Sequence, residues 1–313
     1  MDFDLSSDQA ALVDAVGSVV SRHADLRKGE TLRPMYYSYG DGLDRDLVEN
    51  GFFDIVREET FGPLEAALMI AEVARSPHAV EVVGSALVAP MLWPGLNLPR
   101  PIAIARLEDL TRAVRFLDRA RTVLVDAGDR IVALPIVDGD VEEALSVYAY
   151  PMGRYRSTPD LSKGQVLDGV AVEEFRRLWR VGLTLEIAGA MRSAVNFTAD
   201  YVKTRNVFGR PLGSFQAIQH RLSIDVPRAE GAYWTGLRAA WSGSALDATT
   251  ALLHAQAAVI PVIFDTHQFN GALGFTLEHS LHFWTQRLRV LDGEIGGAHA
   301  QAEAAADLAW PDA

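Results

Sequence analysis

The chain of 313 residues contains no cysteine. Disulfides, thiolate metal sites and cysteine nucleophiles are therefore excluded, and the composition suits a reducing compartment. Basic charge is also scarce, with 29 Lys and Arg against 41 Asp and Glu and a formal net charge of -12. No basic stripe is available for a phosphate backbone, so nucleic acid is not an expected partner. No run approaches the roughly eighteen uninterrupted apolar residues of a membrane span. The opening, MDFDLSSDQAALVDAV, lacks a basic segment ahead of an apolar run and does not read as a signal peptide. A cytoplasmic protein is expected. The GxGxxG of a dinucleotide-binding βαβ unit is also missing. What remains, 49% hydrophobic and 22% charged residues, is the composition of a globular enzyme.

Three zones differ in texture. Residues 1–96 carry helical periodicity. Ser6 or Ser7 can cap a first helix through Leu12, Val16 and Val20, and a second pattern lies around Leu43–Asn50. A third runs from Pro63 through Ala67, Ile70 and Val73, with proline in its first turn as expected. The segment APMLWPGLNLPRP, residues 89–101, holds four prolines and marks a boundary. Residues 97–168 turn β-rich, with runs at 122–126 and 130–136 joined by Ala127-Gly128-Asp129, a hairpin signature. So few residues suffice for a small sheet but not for a full barrel.

Residues 169–313 are helical again. The long run Phe175–Arg205 contains Gly182, Ala188, Gly189, Ala190 and Ala194, whose size lets neighbouring helices approach closely. A second helix is expected after Ser214 as N-cap. A third runs through Ala251–Phe269 with a kink at Pro261, a fourth includes Glu278–Leu291, and an alanine-rich tail makes a short fifth.

The sharpest local signal is TRNVFGRPLGSFQAIQHRLSID, residues 204–225. As physics alone it is a helix end, a glycine turn and a helix start presenting Arg205 and Gln216 around Phe208 and Phe215. A guanidinium suits bidentate phosphate contact, and an aromatic ring can stack on a flat ligand. The same residues also suit a plain turn between two core helices, with buried rings and a solvated arginine. Both readings stay open on residue types.

This segment, with RxxFGxPLxxFQ at its heart, resembles the acyl-CoA dehydrogenase family. So do FDLSSDQAALVDAV at the start, ENGFFDI, and GALGFTLEHSLHFW at 271–284. The resemblance implies a mainly α fold: an N-terminal helical domain (1–96), a reduced middle β-domain (97–168) and a C-terminal four-helix bundle (169–313). It also implies FAD held between subunits and α,β-dehydrogenation of an acyl-CoA thioester, with electron-transfer flavoprotein as acceptor. Carried over residue by residue, Arg205, Phe208 and Gln216 reach a neighbouring subunit's flavin, with Leu212 and Phe215 lining the same surface. Gln268 and Gly271 match a later QxxGG element whose second glycine is Ala272 here. Arg180 matches an arginine near the substrate's CoA end, or makes a structural ion pair.

The departures are equally informative. The family takes the substrate's α-proton with a glutamate at one of two positions, because the thioester alone does not make that proton acidic enough. Here Ile295 and Trp179 occupy those positions. Glu294 is the nearest candidate base. The family's T-E-x-x-x-G-S-D and W-I-T/S strands, which pack against the flavin ring, are missing. The pattern resembles the short subunits of heterotetrameric acyl-CoA dehydrogenases of actinobacterial steroid side-chain degradation. It implies an α2β2 assembly in which a longer homologue supplies base and flavin platform, and a bulky steroid thioester as substrate. The alternatives are a self-sufficient homomeric dehydrogenase with Glu294 as base, and a non-enzymatic scaffold. Glu278 and His282, four apart, have metal-like spacing but fit the family's EHxLH pattern, so no metal is expected. His220 follows the motif and could contact a phosphate, although a helix-surface histidine is the commoner case, and Trp234, Trp241 and Trp284 read as packing anchors.

Overall fold

A computed structural model describes residues 4–24, 39–166 and 172–311. The expected boundary at 168–169 lies outside the described residues. The chain starts with α1 (Ser7–Arg22), α2 (Asp41–Glu49), α3 (Pro63–Ala74), a π-helical turn (Val83–Val88) and α4 (Ala89–Leu92). Ser6 caps α1 in a capping box with Gln9, satisfying two of the helix's orphan donors. Pro63 opens α3, where a missing N–H costs nothing. Apart from the partly exposed Pro63 and Leu64, every residue of α3 is buried, so this helix is the axis on which the rest is packed.

Strands follow: β1 (Ile102–Arg106), β2 (Val114–Arg115), β3 (Thr122–Asp126), β4 (Ile131–Pro135), β5 (Val141–Glu143), β6 (Met152–Tyr155) and β7 (Gln165–Val166). They form two small sheets, ordered β1-β3-β4-β7 and β2-β6-β5. The expected hairpin is present, with Thr122 opposite Pro135 and Asp126 opposite Ile131. Side chains of a strand alternate between faces, and both faces here are buried. Leu124, Ile131 and Ala133 join the main core, while Val123, Val125, Val132 and Leu134 build a second, smaller one. That two-sided burial is why these strands read as continuous apolar runs.

The last zone holds α5 (Val172–Thr204), a short hairpin β8 (Asn206–Val207) and β9 (Arg210–Pro211), α6 (Gln216–Ser242), α7 (Ala245–Asn270), α8 (His282–Gly293) and α9 (Gly297–Ala309). Small residues are used as expected. A Cβ on Gly189 would lie 2.3 Å from the Ala71 carbonyl oxygen, and one on Gly182 would lie 2.3 Å from Val83 Cγ1. Helix α5 can cross α3 and the π-helical turn only without those atoms.

Several expectations are corrected. Phe215, not Ser214, precedes α6, and the Ser214 hydroxyl donates to the Pro211 carbonyl. Helix α8 starts at His282, so Glu278 lies in the preceding turn and shares no helical face with it. Trp241 is 59% exposed and anchors no core, whereas Trp284 is buried and donates to the Arg75 carbonyl. Ala245–Phe275 is long and apolar enough to cross a membrane, and 56% of its most apolar window is buried, chiefly as the central helix of the bundle.

Candidate functional site

Helices α5, α6 and α7 run alternately up, down and up, so the end of α5, the start of α6 and the end of α7 meet at one end of the bundle. Asn270 donates to Thr198 Oγ1 at 2.9 Å, and Arg221 pairs with Asp265 and lies over the rings of Phe264 and Phe269. This end gathers Arg205, Phe208, Leu212, Phe215, Gln216, Gln268 and Gly271.

Its geometry is outward. Residues 206–211 form a hairpin whose two-residue loop is Phe208-Gly209, with φ of +53° and +81°. Positive φ at both central positions is the type I′ geometry that favours Asn-Gly. Phenylalanine there carries backbone strain, which other contacts must hold in place. The result is a ring 91% exposed to solvent, touching Phe215 edge-on at 6.4 Å. The Arg210 guanidinium lies 4.0 Å over the other side of the pair, on Phe215. Arg205, Gln216, Gln268 and Gly271 are all exposed, and among the described residues the Arg205 side chain has no ion-pair or hydrogen-bond partner. Gly271 has φ +59°, and an added Cβ would meet nothing within 4 Å. The glycine there serves backbone conformation and not close packing. An unpaired cation, an unstacked ring and free amides at one end suit a flat, anionic ligand that arrives with another chain.

The inward site differs. Glu294 follows α8, and its Oε1 accepts from Arg115 Nε at 2.9 Å. Arg115 Nη1 donates to both oxygens of Glu186, at 3.2 and 3.1 Å. Tyr150 adds its hydroxyl to Glu186 at 3.4 Å, and the Arg115 guanidinium carbon stands 4.8 Å over the Tyr150 ring. Burial disfavours charge on Arg115, but Glu186 and Glu294 more than offset it and hold its pKa above the ordinary value. Burial pushes Glu186 up, against the pull of Arg115.

Ile295 and Trp179, which the sequence resemblance sets at the two expected base positions, both pack with the main core. Ile295, held at φ +52°, packs against the main core, and its carbonyl accepts from Gln301 at 2.8 Å. Gln256 clamps the same loop by donating to the Leu291 and Glu294 carbonyls. Trp179 is 4% exposed and meets Phe175 edge-on. Arg180 bonds Gln301 at 2.9 Å, and burial lowers its pKa. Among the described residues no group of three or more His, Cys, Asp or Glu could hold a metal. Arg115 was not singled out by sequence. Its partners come from positions 71 and 179 residues away, a separation that no local pattern reports.

Residues 170–297 match the model of the acyl-CoA dehydrogenase C-terminal domain. Over 97% of its length and 97% of the relative's, the chain is 26% identical to acyl-CoA dehydrogenase FadE28 of Mycobacterium tuberculosis. Its fold is that of a chain in the ChsE4-ChsE5 complex from Mycobacterium tuberculosis, with a TM-score of 0.81, 19% identity and 99% of each chain covered. The Tcur3481-Tcur3483 steroid ACAD, G363A variant, is similar at a TM-score of 0.78 and 21% identity, covering 96% of this chain and 97% of that one.

Proposed function

We propose that the chain is an acyl-CoA dehydrogenase-type subunit, as the C-terminal domain match and the similarity to FadE28 support, and that it completes the FAD site of a homologous partner and supplies no catalytic base. FAD provides the hydride acceptor for α,β-dehydrogenation of an acyl-CoA thioester. The residues present fit the dinucleotide. Arg205 offers two-pronged contact to its diphosphate, Gln216 and Gln268 offer amides, and Phe208 offers a ring face.

The observation that carries this reading is Phe208, 91% exposed on a strained hairpin at the same end of the bundle as an unpaired Arg205. A lone chain gains nothing from that arrangement, whereas a neighbour's ligand would use it. Glu294, tied to Arg115 at 2.9 Å, is poorly disposed to take an α-proton. The similarity in fold to a chain of the ChsE4-ChsE5 complex supports a hetero-oligomer, and that to the Tcur3481-Tcur3483 steroid ACAD supports a bulky steroid thioester as substrate class, with electron-transfer flavoprotein as the acceptor the family resemblance implies. The test is the flavin content of the native assembly, purified through a tag on this chain. One flavin per two chains is expected. One per chain overturns the asymmetric reading in favour of a self-sufficient enzyme.

A further inference from the structure

Arg115 stands at a junction of the fold. It joins three parts of the fold: Arg115 comes from the sheet region, Glu186 from the middle of α5, and Glu294 from the loop between α8 and α9. From the far side, Arg287 of α8 donates to the carbonyls of Ala74, Ser76 and His78 after α3, and to Phe283. The charged groups of Arg115 and Arg287 balance those of Glu186 and Glu294. The cavity bordering this network, lined by Val82, Tyr150, Glu186 and Arg287 among others, has a volume of about 10 Å³, one water's worth.

Such a network is a weak way to stabilise a protein. Desolvating two ion pairs costs about as much as their attraction returns, and apolar residues of similar volume often do better. Two further features add cost. The residue after Arg115 and the residue after Glu294, namely Phe116 and Ile295, both have positive φ, at +63° and +52°. Strain on non-glycine residues at both ends of one ion pair points to a constraint other than stability. The location supplies it. Ile295, at one expected base position, directly follows Glu294 and packs against the main core, and Trp179, at the other, is buried two turns before Glu186 on the same face of α5.

We infer that Arg115 is a built-in occupant of this chain's own acyl cavity: held between Glu186 and Glu294, its guanidinium closes the interior so that no acyl thioester enters here. The inference rests on the proposed function only in naming acyl thioester as the excluded ligand, and flavin counting tests that function separately. Arg115 is a specificity-determining residue that works by exclusion.

Two measurements test this. In the first, the native assembly is irradiated with a short-chain acyl-CoA bearing a diazirine, and adducts are mapped by peptide mass spectrometry. Peptides covering residues 73–82 and 179–187 of this chain are expected to stay unlabelled while other sites in the assembly are labelled. Adducts on those peptides overturn the inference. In the second, Arg115→Ala leaves Glu186 with Arg287 as its remaining cation and strips Glu294 of its guanidinium partner, and should lower Tm by about 10 °C. Methylguanidinium at low millimolar concentration should restore part of that in the variant and leave wild type unchanged. Arg115→Ala/Glu294→Gln, which leaves Arg287 against Glu186 alone, should unfold at a higher temperature than the single variant. A folded Arg115→Ala protein with wild-type Tm, or one indifferent to methylguanidinium, overturns the inference. Should Arg115→Ala fail to fold, the photolabelling of wild type still decides.

Discussion

At the exposed end of the bundle Arg205 has no carboxylate partner, and Phe208 is thrust into solvent by a strained turn. Inside the junction Arg115 is 9% exposed, grips two carboxylates and stands over an aromatic ring. An arginine and an aromatic ring are used to opposite ends. An arginine left unsatisfied by its own chain is poised for a ligand, because its charge-assisted bonds are still to be made. One already paired with two carboxylates of its own chain has those bonds made and holds its place in the interior. On the proposed function, the contrast separates a surface offered to a neighbour from an interior closed by its own charges. It can be broken or sharpened by removing charge from each region in turn.

The largest effect is expected inside. Arg287→Met keeps volume but strips Glu186 of its second cation and orphans the carbonyls of Ala74, Ser76 and His78. Breaking a buried charge arrangement by removing one partner costs about 3–5 kcal/mol. Thermal unfolding should show that loss, while flavin content per surviving assembly stays unchanged. A variant as stable as wild type would mean the interior charges are solvated and the junction is open.

At the exposed end the loss should appear in binding and not in stability. Arg205→Ala removes a charge-assisted contact worth about 1.5–3 kcal/mol, so FAD should dissociate from the assembly about ten- to a hundredfold more readily. Tm of the flavin-free protein should move little, since Arg205 is exposed and unpaired. Arg205→Lys should recover only part, because a point charge cannot make a two-pronged contact. Flavin fluorescence during dialysis reads the dissociation constant. Full retention in an assembled Arg205→Ala protein would take Arg205 out of the site.

A further effect, on stability alone, follows pH. Glu81 accepts bonds from Gly84 N, Ser85 N and Ile102 N, joining the π-helical turn to β1, and the Ser85 hydroxyl also donates to it. Burial pushes its pKa from 4.5 up to about 7, against the opposing pull of those bonds. A carboxyl raised on folding contributes stability that is fully present below the unfolded value. That contribution is lost as pH rises through the folded one. Between pH 4.5 and about 7 the folded chain should therefore lose up to about 3 kcal/mol on this account. Glu81→Gln should flatten the slope of Tm against pH across that window. An unchanged slope would assign it to other buried acids such as Glu186.

Much of this was legible in the sequence wherever cause and effect are neighbours. The Ser6 cap, the Pro63 start, the 122–135 hairpin and the small residues of α5 act over a few positions or declare their reason by size. The exposed end reads the same way, since the short stretch from Arg205 to Gln216 carries Arg205, Phe208 and Gln216 outward together. What was not legible is long-range pairing. Arg115 looks like one arginine among many until a β-strand, the middle of α5 and a loop near residue 294 converge on it. Trp241 misled because helical spacing says which residues share a face but not whether anything covers that face. Glu278 misled because the turn before α8 consumes it.

The smallest effect is also the most discriminating. Glu294 sits one residue from an aligned base position, and a loop shift of that size would turn it into a base. The loop resists such a shift. Gln256 donates to the carbonyls of Leu291 and Glu294, Gln301 donates to that of Ile295, and Arg115 Nε holds the carboxylate itself. Glu294→Gln keeps the shape and keeps an oxygen for Arg115 to donate to, so stability should fall modestly. Turnover of the native assembly should stay within about twofold of wild type. A positioned general base contributes on the order of a hundred- to ten-thousandfold. A loss of that size, with flavin content intact, would show that the carboxylate swings free of Arg115 during turnover. The interior would then belong with the working surface, and the division between the two regions would have to be abandoned.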